Sequence, residues 1–375
     1  MTIIETHTLN GNGASPAGLA TPVGLAARSQ QPASLRGPVG FAIVGCGYWG
    51  VNYIRVLREL AGARVVAVCD ERIGRLREIE SVYPDVRLTV DVHDALATPG
   101  VNAAVVCTEA RSHTVVASAC LDAGKHVLVE KPLATSTHEA EALTELAASS
   151  GLVLMVGHTF LYNDGVRKVK EYIDEKRLGD IYYLYARRTN LGPIRHDVNA
   201  IWDLASHDVS ICNYLLDSVP EWVSAVGARV LRNGREDVGF VSLSYPGGIL
   251  AHLHASWADP NKVREVVVVG SESRVVFNDV DAVERVRVFE KGVTAPANGT
   301  VPSFGEHQLL IRDGDIISPK LDVSEPLKVQ SSHFLDCIAG AAKPLTNGRL
   351  GRDVVRVMEA IDRSMRNLGA PAVVL

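Results

Sequence analysis

No apolar run in this chain reaches the roughly 18 residues that a membrane-spanning helix needs, so no membrane partner is expected. The N-terminus does not set a basic region before an apolar core, as a secretory signal would, and the expected location is cytoplasmic. An excess of cations is missing too: 38 lysines and arginines stand against 43 aspartates and glutamates, a net charge of -5. Nucleic-acid binders usually carry a basic stripe that neutralises phosphates, and without one nucleic acid is not an expected partner. The six cysteines, at 46, 69, 107, 120, 212 and 337, form no C-x-x-C pair and lie mostly in apolar runs. They read as reduced core residues rather than zinc ligands or redox groups. No internal repeat is found.

What is present points to a soluble globular protein, with 47% hydrophobic and 22% charged residues. At 375 residues the chain exceeds what one core usually organises, so two domains with a site between them are expected. Residues 1–38, rich in Gly, Ala, Pro, Ser and Thr, read as a disordered extension unable to bury enough apolar surface to offset its ordering entropy. From 39 to 157 short β-branched runs alternate with helical stretches near 49–60, 72–80, 113–123 and 136–149, the pattern of a parallel sheet covered on both faces. From 158 to 375 a helix near 164–176 and another near 199–217 lie among strand-like runs joined by turns such as Pro246-Gly247-Gly248. The expected fold class is therefore α/β: a Rossmann dinucleotide-binding domain, then an α+β domain with an open, mostly antiparallel sheet. Helical patterns near 327–341 and 351–368 are expected to pack back on the body.

The stretch GFAIVGCGYWGVNYIRVL sets Gly45, Gly47 and Gly50 at G-x-G-x-x-G spacing, after a strand and before a helix. Gly45 permits the tight turn, Gly47 lets backbone N–H groups approach a pyrophosphate at the positive helix end, and Gly50 lets helix and strand pack closely. Asp70 ends the next strand about 20 residues on, where a carboxylate can accept hydrogen bonds from ribose hydroxyls. A carboxylate there repels a 2'-phosphate, so NAD is favoured over NADP, although Arg72 and Arg75 follow closely. A helix N-cap is the structural alternative for Asp70.

Two constellations carry chemistry. The run KHVLVEKPLA ends a strand with Glu130-Lys131-Pro132 and so places Lys131 at the carboxyl edge of the sheet, where ligands of open α/β folds bind. In IWDLASHDVSI, Asp203 and His207 are four apart and share a helix face, with Ser210 a further turn along. Such a pair suits proton transfer, the carboxylate orienting the imidazole; an exposed face with a weak ion pair is the bland alternative. Asp208 is expected to cap or face solvent. His252 and His254 alternate along one strand and read as a sheet face rather than a metal pair, and no metal is expected. Tyr182, Tyr183 and Tyr185 before Arg187 read as a sheet face or subunit interface.

With G-x-G-x-x-G, E-K-P and D-x-x-x-H in that order over residues 38–370, the chain resembles the Gfo/Idh/MocA oxidoreductases. The resemblance implies that Lys131, Asp203 and His207 line the nicotinamide and the reacting carbon, and that the bond before Pro132 is a candidate cis peptide. It extends the cofactor site to Tyr48, Trp49, Thr108, His113 and Glu130. A Thr-Pro pair is common after the fourth strand in that family, whereas Thr108-Glu109 stands here, adding a carboxylate near the expected nicotinamide. The segments GCGYWGVN, GHTFLYN and RTNLGPIRHDVNAIWDLASHD look most like those of UDP-sugar 3-dehydrogenases. That likeness implies a sugar-nucleotide substrate met by Tyr162, Asn163, Arg188, Asn190, Arg195 and Asn199, and a homodimer or homotetramer formed through the second sheet. Hydride transfer at C3 of a UDP-sugar is the leading expectation. A 3-ketosugar reductase, a free-sugar or inositol dehydrogenase and a non-enzymatic dinucleotide sensor are the alternatives, the last disfavoured because a sensor needs no proton-transfer set.

Overall fold

The computed structural model describes residues 37–192, 194–195, 197–231, 234–294 and 310–375. All but the last two residues of the expected extension lie outside them. Six strands form a parallel sheet: β1 Val39–Val44, β2 Ala63–Cys69, β3 Arg87–Thr89, β4 Ala103–Val106, β5 His126–Val129 and β6 Leu154–Val156, in the order β3-β2-β1-β4-β5-β6. Helices α1 Tyr48–Glu59, α2 Ile73–Val82, α3 Val92–Ala97, α4 His113–Asp122 and α5 Thr137–Ser149 make the crossovers. Alternation within the strands explains why they read as continuous apolar runs. Phe41 and Ile43 enter the core on one face of the sheet, Ala42 and Val44 the core on the other, and all four are buried.

The chain then runs through α6 Asp164–Asp174, β7 Ile181–Thr189, a π-helical turn Ile201–Ala205 and α7 Ser206–Leu216. Strands β8 Trp222–Ala228, β9 Val238–Ser244, β10 Leu250–Ser256, β11 Val263–Gly270, β12 Arg274–Asn278 and β13 Val286–Phe289 follow, with short pieces β14 Gly292–Thr294, β15 Leu310–Arg312 and β16 Ile316–Ile317. Helices α8 Pro326–Ile338 and α9 Gly348–Arg366 precede the edge strand β17 Ala372–Val373. The second sheet has the order β16-β13-β12-β11-β7-β10-β9-β8-β17; only β7 and β10 are parallel, and its other neighbours are antiparallel. On its outer face Phe240 stacks against His254 at 4.4 Å and His252 at 6.4 Å.

The last two helices bind the halves together. Leu327, Phe334, Cys337 and Ile338 of α8 join Phe41 and Ile43 in one core, while Val354, Val355, Met358 and Ile361 of α9 join the other. Gly351 lets α9 approach β6, since a Cβ there would stand 2.6 Å from Val156. All six cysteines are free thiols, and no described helix is long and apolar enough to cross a membrane.

Candidate active site

The carboxyl edge of the parallel sheet gathers four turns. At the first, Gly45 has φ +91°, and a Cβ there would meet the Cys107 carbonyl at 2.7 Å, so glycine is required. Gly50 packs against the Gly45 oxygen, which a Cβ would approach to 2.0 Å. Nothing lies within 4 Å of a Cβ placed on Gly47, and no side chain caps α1 behind it. That open, uncapped N-terminus is a cradle of the kind a pyrophosphate takes. Exposed Tyr48 and Trp49, edge to face at 5.3 Å, stand at its mouth.

Asp70, buried at the end of β2, accepts from the backbone N–H of Cys46 (2.7 Å) and Arg72 (3.0 Å) and from the Arg72 guanidinium at 2.8 Å on each oxygen. Burial pushes its carboxyl up, but the Arg72 side chain and the two backbone donors outweigh it and hold it below the ordinary carboxylate value. The N-cap of α2 is Arg72, so Asp70 is not the cap. Arg75 donates to the Cys46 carbonyl and pairs with Glu78.

At the third and fourth turns, after β4 and β5, two of the expected cofactor contacts make bracing bonds within the protein. The buried His113 ring sets Nδ1 2.7 Å from the Pro132 oxygen and Nε2 3.1 Å from the Thr108 oxygen, tying the turn after β4 to the turn after β5. Glu130, also buried, accepts from the Tyr53 hydroxyl at 3.0 Å and the Lys131 N–H at 3.1 Å, which anchors the lysine turn to α1. Thr108 keeps a buried hydroxyl without a partner, while Glu109 is exposed.

Lys131 follows with a cis bond to Pro132. Its buried Nζ donates to the Asp203 carboxylate at 3.0 Å and to the Asp203 carbonyl at 2.8 Å, joining the parallel sheet to the second half of the chain. Asp203 also accepts from Arg195 and from Trp257 Nε1, each at 3.3 Å. Desolvation raises its carboxyl; Lys131 and then Arg195 more than offset this, leaving it below its ordinary value. Arg195 is further held by Asp197.

The helix expected over 199–217 begins with a π-helical turn, and Asp203 lies in it while His207 lies in α7. Single wide turns of this kind recur at functional sites. With its oxygens taken by Lys131, Arg195 and Trp257, Asp203 does not hydrogen-bond His207, so the expected carboxylate–imidazole couple is absent. The part-exposed His207 ring packs 5.0 Å from Phe160, and its Nδ1 is buried without a partner. Burial, then Lys131, Arg188, His158 and Arg264, push its pKa well below the ordinary value and keep it neutral. Ser210 Oγ donates to the His207 carbonyl at 2.7 Å and serves the helix.

Four of the expected substrate contacts are committed inside the protein. Arg188 forms a buried fork with Asp208, at 2.7 to 3.1 Å, so Asp208 neither caps nor faces solvent. Asn199 accepts from Trp202 N–H at 2.9 Å and donates to Glu236 at 3.2 Å. Tyr162 is fully buried, with its hydroxyl 3.3 Å from that of Thr346. Asn163 caps α6 through Gly165 N–H at 2.9 Å and donates to Asp279. Arg195 reaches the site through Asp203, while Asn190 is half-buried just after β7. Sequence reasoning missed Trp257, Phe160 and His158. The signal for His158 was its position two residues beyond β6, matching that of Lys131 beyond β5.

Fold and site together define a nucleotide-dependent oxidoreductase, and comparison with known proteins makes this specific. Residues 39–158 match the model of the Gfo/Idh/MocA oxidoreductase family with its NAD-binding Rossmann fold, and residues 166–276 match that of the Gfo/Idh/MocA C-terminal domain. The two matches cover more than half of the chain, and the protein belongs to the Gfo/Idh/MocA oxidoreductases, with NAD as cofactor. It is 31% identical over 181 residues to 4-carboxy-2-hydroxymuconate-6-semialdehyde dehydrogenase of Sphingobium, an alignment that covers 46% of this chain and 58% of the other. To UDP-N-acetylglucosamine 3-dehydrogenase of Acidithiobacillus ferrooxidans it is 26% identical over 322 residues, 84% of this chain and 93% of that one. The WlbA dehydrogenase from Bordetella pertussis, solved with NADH and UDP-GlcNAcA, superposes with a TM-score of 0.74 at 22% identity, covering 90% and 98% of the two chains, a likeness of fold.

Proposed function

We propose that the protein is a dehydrogenase that oxidises C3 of a nucleotide-linked sugar, of the UDP-hexosamine type, with NAD as hydride acceptor. The observation that carries this reading is the Lys131–Asp203 contact at 3.0 Å, which sets an ammonium group at the carboxyl edge of the parallel sheet. A lysine ammonium has three donors, and Asp203 takes two, at its carboxylate and its carbonyl. The third serves the substrate oxygen and stabilises the alkoxide that develops as hydride leaves carbon. His207, neutral because of its burial and its cationic neighbours, takes the hydroxyl proton at Nε2, a state that suits oxidation rather than ketone reduction.

The Gly45–Gly50 turn and the α1 N-terminus would hold the pyrophosphate and Asp70 the ribose hydroxyls, and bound NAD supplies the carbon that receives hydride. Arg195 and Asn190 are the donors for sugar or diphosphate oxygens. The likeness to a UDP-N-acetylglucosamine 3-dehydrogenase over most of both chains supports the substrate class. Purified protein with NAD, offered UDP- and dTDP-sugars, free sugars and inositols, is expected to form NADH with a UDP-hexosamine and to leave a 3-keto product, identified by mass and NMR. His207→Asn should bind NAD normally and turn over about 10²- to 10⁴-fold more slowly. Turnover confined to inositols or free sugars overturns the substrate, and an undiminished His207→Asn overturns the proton acceptor.

A further inference from the structure

If Asp203 does not hold His207, something else must set the ring's tautomer. A base at Nε2 needs its proton on Nδ1, and His207 Nδ1 is buried without a partner. Burying an N–H unsatisfied is costly, because the full desolvation of the donor goes uncompensated. Left alone, the ring would move its proton to the part-exposed side, where water satisfies it, and lose the lone pair the reaction needs.

His158 is the complementary oddity. It is wholly buried, and neither of its ring nitrogens has a hydrogen-bond partner. Val129 of β5 pairs with Val156 of β6, so Lys131 and His158, each two residues further, leave the sheet side by side. The turn that follows, Thr159–Tyr162, packs on α7 and carries Phe160 to 5.0 Å from the His207 ring. Burial, then Lys131, pushes the His158 pKa down to about 3, so its imidazole is neutral and has one nitrogen that can only accept. Packing alone would be served at this position by an apolar side chain without the cost of two orphaned nitrogens.

We propose that His158 accepts the Nδ1–H of His207 through one enclosed water, and so holds His207 in the tautomer whose Nε2 is free to take the substrate proton. His158 is thus a positioning residue that acts through His207 and does not touch substrate. The inference rests on the reading of His207 as the proton acceptor.

Nitrogen-15 NMR of the histidines, assigned by comparison with His207→Asn, reads the tautomer in the resting protein, independently of turnover. The wild-type protein should show His207 protonated at Nδ1. In His158→Phe the proton should move to Nε2, with kcat about 10- to 100-fold lower and with KM and NAD affinity within a few fold. His158→Gln, whose amide oxygen can accept, should restore the Nδ1–H tautomer and most of kcat. Wild-type His207 protonated at Nε2, or an unchanged tautomer in the Phe variant, overturns the proposal. Should the Phe variant not fold, the wild-type tautomer and the Gln variant still decide. A His207→Asn protein with full turnover would defeat the functional reading instead, leaving the NMR result to stand by itself.

Discussion

Asp203 and Asp208 lie five positions apart on one helical stretch, and each binds a buried cation, yet the two pairs differ in kind. Arg188 and Asp208 are 3% and 1% exposed, share three hydrogen bonds, and have the guanidinium 4.2 Å over Phe160. Such a fork uses the geometry that distinguishes arginine from lysine and fixes β7 against α7. Lys131 and Asp203 meet at a single carboxylate oxygen, Asp203 is 17% exposed, and it is shared with Arg195 and Trp257. The first pair is sealed on both partners; the second keeps some exposure at its carboxylate. Residue types do not tell the two pairs apart; the exposure left at Asp203 and its sharing with Arg195 and Trp257 do.

The largest expected effects test that separation directly. Arg188→Leu leaves Asp208 buried and unpaired, and should cost about 3–5 kcal/mol in urea unfolding, with the turnover of the folded fraction falling far less than in Lys131→Met. Arg188→Leu with Asp208→Leu should recover much of that stability, because the stranded charge is gone. Lys131→Met reverses the pattern: turnover drops about 10²- to 10³-fold, while Asp203 keeps Arg195 and Trp257 and the unfolding midpoint moves little. Should Arg188→Leu unfold normally and abolish turnover, the sealed pair would be the working one and the comparison would invert.

Acid gives a smaller but signed test. The Asp203 carboxyl titrates below its unfolded value of about 3.9, because Lys131 and Arg195 outweigh its desolvation. Between the folded and unfolded values the unfolded chain binds a proton that the native protein does not, so stability falls as pH drops through that window. The stability gap between wild type and Asp203→Asn should therefore be full at pH 7 and shrink below about pH 4. A gap constant down to pH 3 would mean that Asp203 contributes packing rather than charge.

Much of the parallel sheet was legible, because strands buried on both faces read as continuous apolar runs: β1, β2, β4, β5 and β6 all stand where those runs are. The polar edge strand β3 and the six-residue α3 were not, being too short to show a period. At the site, the glycine turn could be read because its requirements are steric and local. Lys131, Asp203 and His207 were visible as residue types, but a contact across 72 positions was not, nor was the π-helical turn that presents Asp203. Glu130, His113, Arg188, Asn199, Tyr162 and Asn163 were legible as polar residues of the site region, but the protein partners that the structure gives them were not, for one reason. A polar side chain recognises a backbone or a neighbour as readily as a ligand, and only the fold says which way it points.

A third pair, Asp70 with Arg72, extends the comparison to its open end. Here the carboxylate is 4% exposed but the guanidinium is 61% exposed, so the cation can swing into water at little cost and free both oxygens, which neither Arg188 nor Lys131 can do. The two backbone donors would stay and keep the carboxylate aimed. Asp70→Ala should then weaken NAD about tenfold, the loss of a charge-assisted bond to ribose, and narrow the preference over NADP. Arg72→Ala should leave NAD affinity within a few fold, since it removes only a competitor for the carboxylate. Titrations of the two variants with NAD and NADP read how easily the cation leaves this pair. A large loss of NAD affinity in Arg72→Ala would show that the arginine is part of the nucleotide site and that the Asp70 pair is as fixed as the one between Arg188 and Asp208.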